Sequence, residues 1–151
     1  MNFPVGANVV EGNLPNKFLE MAELLHEKKF NGYVIQSAKG DFIEDGIVFF
    51  RDGEVSACIV ECISVKKIYK GNEALDFFLN QTKGKGFFQV IELTRSQVDL
   101  VEAFDEKLIL NKINLKDLPK LIPNTYAIRF KNEVVLDNNV FERYGLSGLN
   151  R

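Results

Sequence analysis

The side chains able to do chemistry are few, and their spacing does not combine them. His26 is the only histidine in the 151 residues. A catalytic or metal-bound histidine needs nearby donors, and no spaced His, Cys or carboxylate set points at it. Its expected role is a structural or surface one. Cys58 and Cys62 form a CxxxC, whereas zinc and redox motifs usually use CxxC. On one strand the two thiols would share a face about 13 Å apart, at roughly 3.3 Å per residue, too far to bridge. They read as small apolar packing groups. Lys83-Gly84-Lys85-Gly86 lacks the GK[ST] ending of a phosphate loop and precedes a strand rather than a helix. Asp41, Glu44, Asp45 and Asp52 gather in sequence. Paired carboxylates do acid–base work when their surroundings split their pKa values, but these sit beside glycines in turns, where solvated charge is expected. A small-molecule or enzymatic site on the acidic glycine turns from Asp41 to Asp52 is therefore the alternative reading. No catalytic residue, cofactor or metal ligand is expected.

The stretch that organises the chain is Glu44 to Glu61, which reads as a β-hairpin. Asp52-Gly53 is a strong turn signal, because a type I′ turn needs φ > 0 at both central positions. Counting outward from it pairs Phe50 with Val55, Phe49 with Ser56, Val48 with Ala57 and Ile47 with Cys58. One face then carries Val48, Phe50, Val55, Ala57 and Ile59. The other carries Ile47, Phe49, Cys58 and Val60. Both faces are apolar, so the hairpin should be covered on both sides, by its own helices or by a partner. The second set of four is the candidate interface.

Composition bounds the rest. A chain of this length forms one domain with a real core. Hydrophobic residues make up 46% and charged residues 26%, with 13 Phe and no Trp, as in a water-exposed globular protein with a phenylalanine core. Net charge is −2 and pI about 5.5, which argues against nucleic acid as a partner. No apolar run reaches the ~20 residues that span a bilayer. Met1 to Gly6 lacks a basic start and an apolar core, so no signal peptide is expected. The expected compartment is a reducing cytoplasm.

Along the chain, residues 1–14 form a polar lead. A first helix runs from Lys17 to about Lys29, with Phe18, Met21, Ala22, Leu24 and Leu25 at helical spacing. Strands follow at Tyr33–Ser37, at Asp41–Ile43 leading into the hairpin, and through Val60. Residues 61–71 form a basic crossover. A second helix over Glu73–Leu79 has Asn72 as its N-cap candidate. Phe87–Leu93 is a strand. A third helix over about Gln97–Leu110 is capped by Thr94 or Ser96. From Leu115 the pattern is ambiguous: residues 124–137 fit a hairpin or a helix. Asn139–Tyr144 reads as helical. The expected fold is α+β, a mostly antiparallel sheet of four to five strands, a meander with a central DG hairpin, packed with about three helices. Residues 1–114 form the domain. Residues 115–151 form a C-terminal extension packed on it or on a partner.

The order Gly32-Tyr33-Val34-Ile35, Gly46-Ile47-Val48-Phe49, Asp52-Gly53-Glu54-Val55, Ala57, Gly71, Glu73-Ala74-Leu75 and Gly86-Phe87-Phe88 resembles the PATAN-type domain and a related set of uncharacterised archaeal proteins. The likeness spans about residues 15–105. Arg143-Tyr144-Gly145-Leu146 is also similar to the archaeal set. The segment between Val60 and Gly71 is longer and more basic than the pattern. The resemblance implies an α+β signalling module that binds other proteins, found with response regulators and small-GTPase systems, and it carries over no catalytic residue.

The expected function is a non-enzymatic protein–protein interaction module, an adaptor or dimerising component of a regulatory complex. The expected partner is a protein, either a second copy in a homo-oligomer or a regulatory protein, with no membrane and no nucleic acid involved.

Overall fold

The computed structural model describes residues 3–129. In chain order the elements are β1 (Ala7–Leu14), α1 (Phe18–Glu27), β2 (Gly32–Lys39), β3 (Ile43–Arg51), β4 (Glu54–Cys62), β5 (Lys67–Lys70), α2 (Asn72–Gln81), β6 (Gly86–Glu92), α3 (Arg95–Phe104) and a four-residue α4 (Leu118–Leu121). A single 3-10 turn, Glu106–Leu108, follows α3. The fold is α+β, and its sheet has six strands rather than four to five, in the order β1-β6-β2-β3-β4-β5. Every pairing is antiparallel. The two additional strands lie in the polar lead and the basic crossover, where composition conceals them.

The β3–β4 hairpin forms at Asp52-Gly53. Both residues have positive φ, 51° and 84°, as a type I′ turn requires. Gly53 is doubly constrained, since an added Cβ would lie 2.7 Å from the His26 carbonyl oxygen. The tip is fastened from three sides. Gly53 N–H donates to the Phe30 carbonyl at 2.8 Å, Asn31 and Asp52 exchange hydrogen bonds, and Arg51 pairs with Asp99 of α3 at 2.7 Å. His26 Nδ1 lies 3.3 Å from the Gly53 carbonyl oxygen, so the lone histidine contributes to this clasp.

The hairpin register differs from simple counting. Phe50 faces Val55, but Phe49 faces Ala57, Val48 faces Cys58 and Ile47 faces Ile59. One extra residue, Ser56, is accommodated as a β-bulge, and its hydroxyl donates to the Phe49 carbonyl at 3.3 Å. Because strand side chains alternate faces, a one-residue slip inverts everything beyond it. Cys58 and Val60 therefore join Val48 and Phe50 on one face, and Ala57 and Ile59 join Ile47 and Phe49 on the other. The expected grouping of Ile47, Phe49, Cys58 and Val60 on one face is corrected by the bulge.

Both faces are covered by the chain itself. The first packs Val34, Val48, Phe50, Cys58 and Val60 under α1 (Phe18, Ala22, Leu25) and α2 (Ala74, Leu75, Phe78, Leu79), with Leu110 and Leu118 closing one end. Phe50 lies among Phe18 and Phe30 at ring-centroid distances of 6.5 and 6.2 Å. The second packs Tyr33, Ile47, Phe49, Ala57 and Ile59 under α3 through Val98 and Val101, with Leu108 alongside. Phe3 stands edge-on to Phe49 at 5.2 Å. Ile47, Phe49, Cys58 and Val60 are all 2% exposed or less, so they form core rather than an exposed patch.

Helix ends follow local chemistry. Thr94 caps α3 in a full capping box: Gln97 N–H donates to Thr94 Oγ1, and Thr94 N–H donates to Gln97 Oε1, the reciprocal arrangement that satisfies two orphan donors. α3 stops at Phe104, short of Leu110. Asn72 is not the cap of α2; Gly71 occupies that position, and Asn72 Oδ1 instead accepts from Asn111 N–H. From Leu115 onward the described chain lies on the domain. Leu118 is fully buried, and Tyr126–Arg129 has no regular structure. Residues 130–137, the helical reading of Asn139–Tyr144 and the Arg143–Leu146 ending lie outside the described residues. Among the described residues no helix is long and apolar enough to cross a membrane.

Candidate functional site

Two features stand apart from ordinary packing. The first is an apolar groove of about 610 Å³ between α1 and the β1–β6 end of the sheet. Its floor is Val10, Phe88 and Val90, and its wall is Met21, Leu24 and Leu25. Val10 stands opposite Val90 and Gly12 opposite Phe88, so alternate residues of both strands face the helix side. α1 packs inward through Phe18 against Phe50 and Phe78, and the cover stops short of the edge strand, where Val10 is half-exposed beside buried Val90. Val9, Val10 and Leu24 are 53%, 48% and 56% exposed. Charged residues at the lining are mixed, with Lys17, Lys28 and Lys29 against Glu20 and Glu92.

The groove ends at the open edge of the sheet. β1 has β6 on one side and no strand on the other among the described residues. It presents eight residues with one charge, Glu11. The opposite edge, β5, is four residues long and carries a lysine at each end. Short length and lysines are how proteins keep a sheet edge from recruiting another strand. β5 is guarded in this way and β1 is not.

The second feature is a buried polar cluster where the C-terminal extension meets the domain. Glu44, Gln36, Asn80, Gln81 and Thr82 are fully buried. Glu44 accepts hydrogen bonds from the Tyr126 hydroxyl and from Gln81 Nε2 at 3.4 Å. Gln36 accepts from Asn16 and donates to the Phe78 carbonyl. Asn80 holds the Ala127 backbone twice: its amide donates to the carbonyl at 2.8 Å, and its Oδ1 accepts the N–H at 2.9 Å. Arg129 pairs with Asp76 at 2.6 Å. Gly46 leaves the space that Gln81 fills, since an added Cβ would lie 2.2 Å from Gln81 Oε1.

Burial pushes the Glu44 carboxyl above the ordinary carboxylate range, against the opposing pull of its hydrogen bonds from Tyr126 and Gln81 and of the Arg129 charge. Burial, and then the neighbouring Glu44, push the Tyr126 hydroxyl up. Tyr126 and Gln81 close over Glu44 as hydrogen-bond donors, so the cluster works as an anchor for the extension. Of the acidic residues of the glycine turns, Glu44 forms the cluster and Asp41 lies close enough to help raise the Tyr126 hydroxyl. Asp52 sits at the hairpin tip, eight residues along β3 from Glu44, or about 26 Å at roughly 3.3 Å per residue, and Asp41 is exposed. Cys58 and Cys62 form no disulfide and are buried, and burial pushes the Cys58 thiol up, which keeps it in the inert thiol form. No group of three or more His, Cys, Asp and Glu side chains is arranged to hold a metal among the described residues.

Sequence reasoning missed both features. The groove needs β1, which reads as a polar lead. Glu44 was legible in principle: Glu44, Gly46, Val48 and Phe50 alternate along β3, so Glu44 falls on the same face as buried Phe50.

The fold is thus a six-stranded antiparallel α+β domain with one apolar groove beside an open edge and no gathered catalytic set among the described residues. The chain belongs to the family described as "Uncharacterized protein conserved in archaea (DUF2226)", whose model matches residues 1–104. The match ends with α3, so the 3-10 turn, α4 and the anchored extension lie beyond it. No curated protein and no solved structure matches the chain.

Proposed function

We propose that this protein is a non-enzymatic protein–protein interaction module, an adaptor or dimerising component of a regulatory complex. The observation that carries the reading is the apolar groove of α1, β1 and β6 running into an unguarded sheet edge. Exposed apolar surface of this kind is a liability in a lone protein and an asset in an interface. An added strand gains main-chain hydrogen bonds from the edge while its side chains reach the groove. The rigid cover on both hairpin faces keeps the groove preformed. The interface expected at Ile47, Phe49, Cys58 and Val60 moves here, to Val9, Val10, Met21 and Leu24. The PATAN-type likeness, carried by motifs in β2, β3, β4, α2 and β6, supports a signalling role in the cytoplasm.

The test is a photo-crosslinking amino acid in place of Leu24, with the same substitution at Ile68 on the guarded edge as control. Irradiation of the full chain, pure and in extract of its native cells, should give a discrete protein adduct from position 24 and none from 68. Absence of any adduct from position 24 in both settings contradicts the reading.

A further inference from the structure

We infer that the β1 edge pairs with β1 of a second copy of this chain, antiparallel and centred on Gly12, making one continuous sheet from two molecules. The inference rests on the interaction reading above and names its partner.

Register is the first argument. Two identical antiparallel strands related by a two-fold axis pair residues whose numbers have a constant sum. The bulge between Asn8 and Val10 leaves Val10–Leu14 as the regular part of β1. Centred on Gly12, Val10 faces Leu14 of the second copy, Glu11 faces Asn13 of the second copy, and Gly12 faces itself. The pairs are apolar with apolar and acceptor with donor. Centring on Glu11 sets two carboxylates directly opposite each other, which destabilises a sheet. Centring on Asn13 sets Glu11 against Pro15 of the second copy, which has no N–H to give the ladder.

Layering is the second argument. A two-fold axis perpendicular to the sheet keeps both α1 helices on the same side. The two grooves then open into each other across the seam. Val10, Phe88 and Val90 of each copy form one shared apolar floor, flanked by Met21 and Leu24 of both.

Charge is the third argument. The groove lining carries three lysines and two glutamates, a mixture that suits its own copy better than a strongly acidic or basic partner. The lysine-ended β5 cannot serve the same role, so association stops at a closed dimer rather than a fibre.

The experiment uses the full chain. Sedimentation equilibrium should show a dimer. Val10→Lys should weaken it by about tenfold or more, and should leave the melting temperature unchanged at concentrations where both chains are monomeric, since a charge is tolerated on a half-exposed edge and not in a pairing seam. Ile68→Lys should leave it unchanged. Register is read by mixing a Glu11→Cys chain with an Asn13→Cys chain under mild oxidation: the mixture should form an inter-chain disulfide and neither chain alone should. The native thiols are buried and do not compete. A dimer that ignores Val10→Lys, or cross-linking by either single variant as efficiently as by the mixture, overturns the proposal. A monomeric wild-type chain whose position-24 adduct is with a different protein also overturns it but leaves the interaction reading standing. A monomer with no adduct overturns both.

Discussion

Val10 and Val90 are directly opposed across the β1–β6 ladder, yet Val90 is 1% exposed and Val10 is 48% exposed. The same residue type at paired positions therefore experiences a core on one strand and an open groove on the next. The expected outcome is an asymmetry. Val90→Lys should lower stability by several kcal/mol, because a charge would be buried without a partner. Val10→Lys should change it by less than about 0.5 kcal/mol, as for exposed positions generally. Paired denaturant titrations at concentrations where the chain is monomeric check this, and equal losses would show that Val10 is buried within its own chain.

Phe50 and Phe49 should both behave as core residues. Phe50→Ala should cost about 3–5 kcal/mol, the usual loss for a buried phenylalanine. Phe49→Asp should unfold the chain rather than release a folded monomer, because Phe49 is sealed between α3, Tyr33 and Phe3. Circular dichroism melts separate the outcomes. A folded, soluble Phe49→Asp protein would contradict the cover of this face by α3, Tyr33 and Phe3.

Glu44 should make the protein pH-sensitive. Its folded pKa is raised above the unfolded value, so the folded state holds the proton more tightly. Stability from this group is greatest below the unfolded pKa and falls as pH rises through the window up to the folded one. Glu44→Gln removes the titration and still accepts from Tyr126; with the Gln81 amide turned over, its new amide donates to Gln81 Oε1, which otherwise lacks a partner. The advantage of Glu44→Gln over wild type should therefore grow as pH rises upward from the ordinary carboxylate range. Thermal melts from that range upward check it. A difference that is flat or shrinks with pH would contradict the assigned burial.

The Asn80–Ala127 clasp should hold the extension. Asn80→Ala leaves the Ala127 N–H and carbonyl without these partners. Loss of two hydrogen bonds at roughly 1 kcal/mol each should expose residues after Leu121 to limited proteolysis, with the sheet intact. Unchanged cleavage would show that Tyr126 and Arg129 suffice.

The thiols should be silent. Cys58 and Cys62 are fully buried, so iodoacetamide should modify neither in the native protein and both after denaturation. Mass spectrometry reads the count directly. Native labelling within minutes would contradict the assigned packing.

Much of the architecture was legible because local chemistry and tertiary structure agree. Asp52-Gly53 marked the hairpin through its turn geometry, and Thr94 with Gln97 marked the start of α3. What stayed hidden had identifiable causes. Ser56 bulges without a glycine or proline to announce it, and that one residue moved Cys58 and Val60 to the opposite face. β1 contains Asn8, Glu11, Gly12 and Asn13, none of them a strand former, and becomes a strand through its pairing with β6. β5 was masked by Lys67 and Lys70, which guard its edge. Glu44 reads as a solvated turn residue because Gly46 is near, whereas that glycine makes room for Gln81 beside a buried carboxylate. The groove is a tertiary property of how α1 packs beside β1 and β6, and no periodicity in the chain encodes it.

Hydrogen exchange along β1 tests the central claim most directly, because a free sheet edge leaves outward-facing amides open to water and a paired edge does not. As the concentration of the full chain is raised, the outward-facing amides within Val10–Leu14 should become progressively protected, while those of Lys67–Lys70 keep a constant rate. Exchange at Val10–Leu14 that stays fast and independent of concentration would contradict pairing of β1 with a second copy.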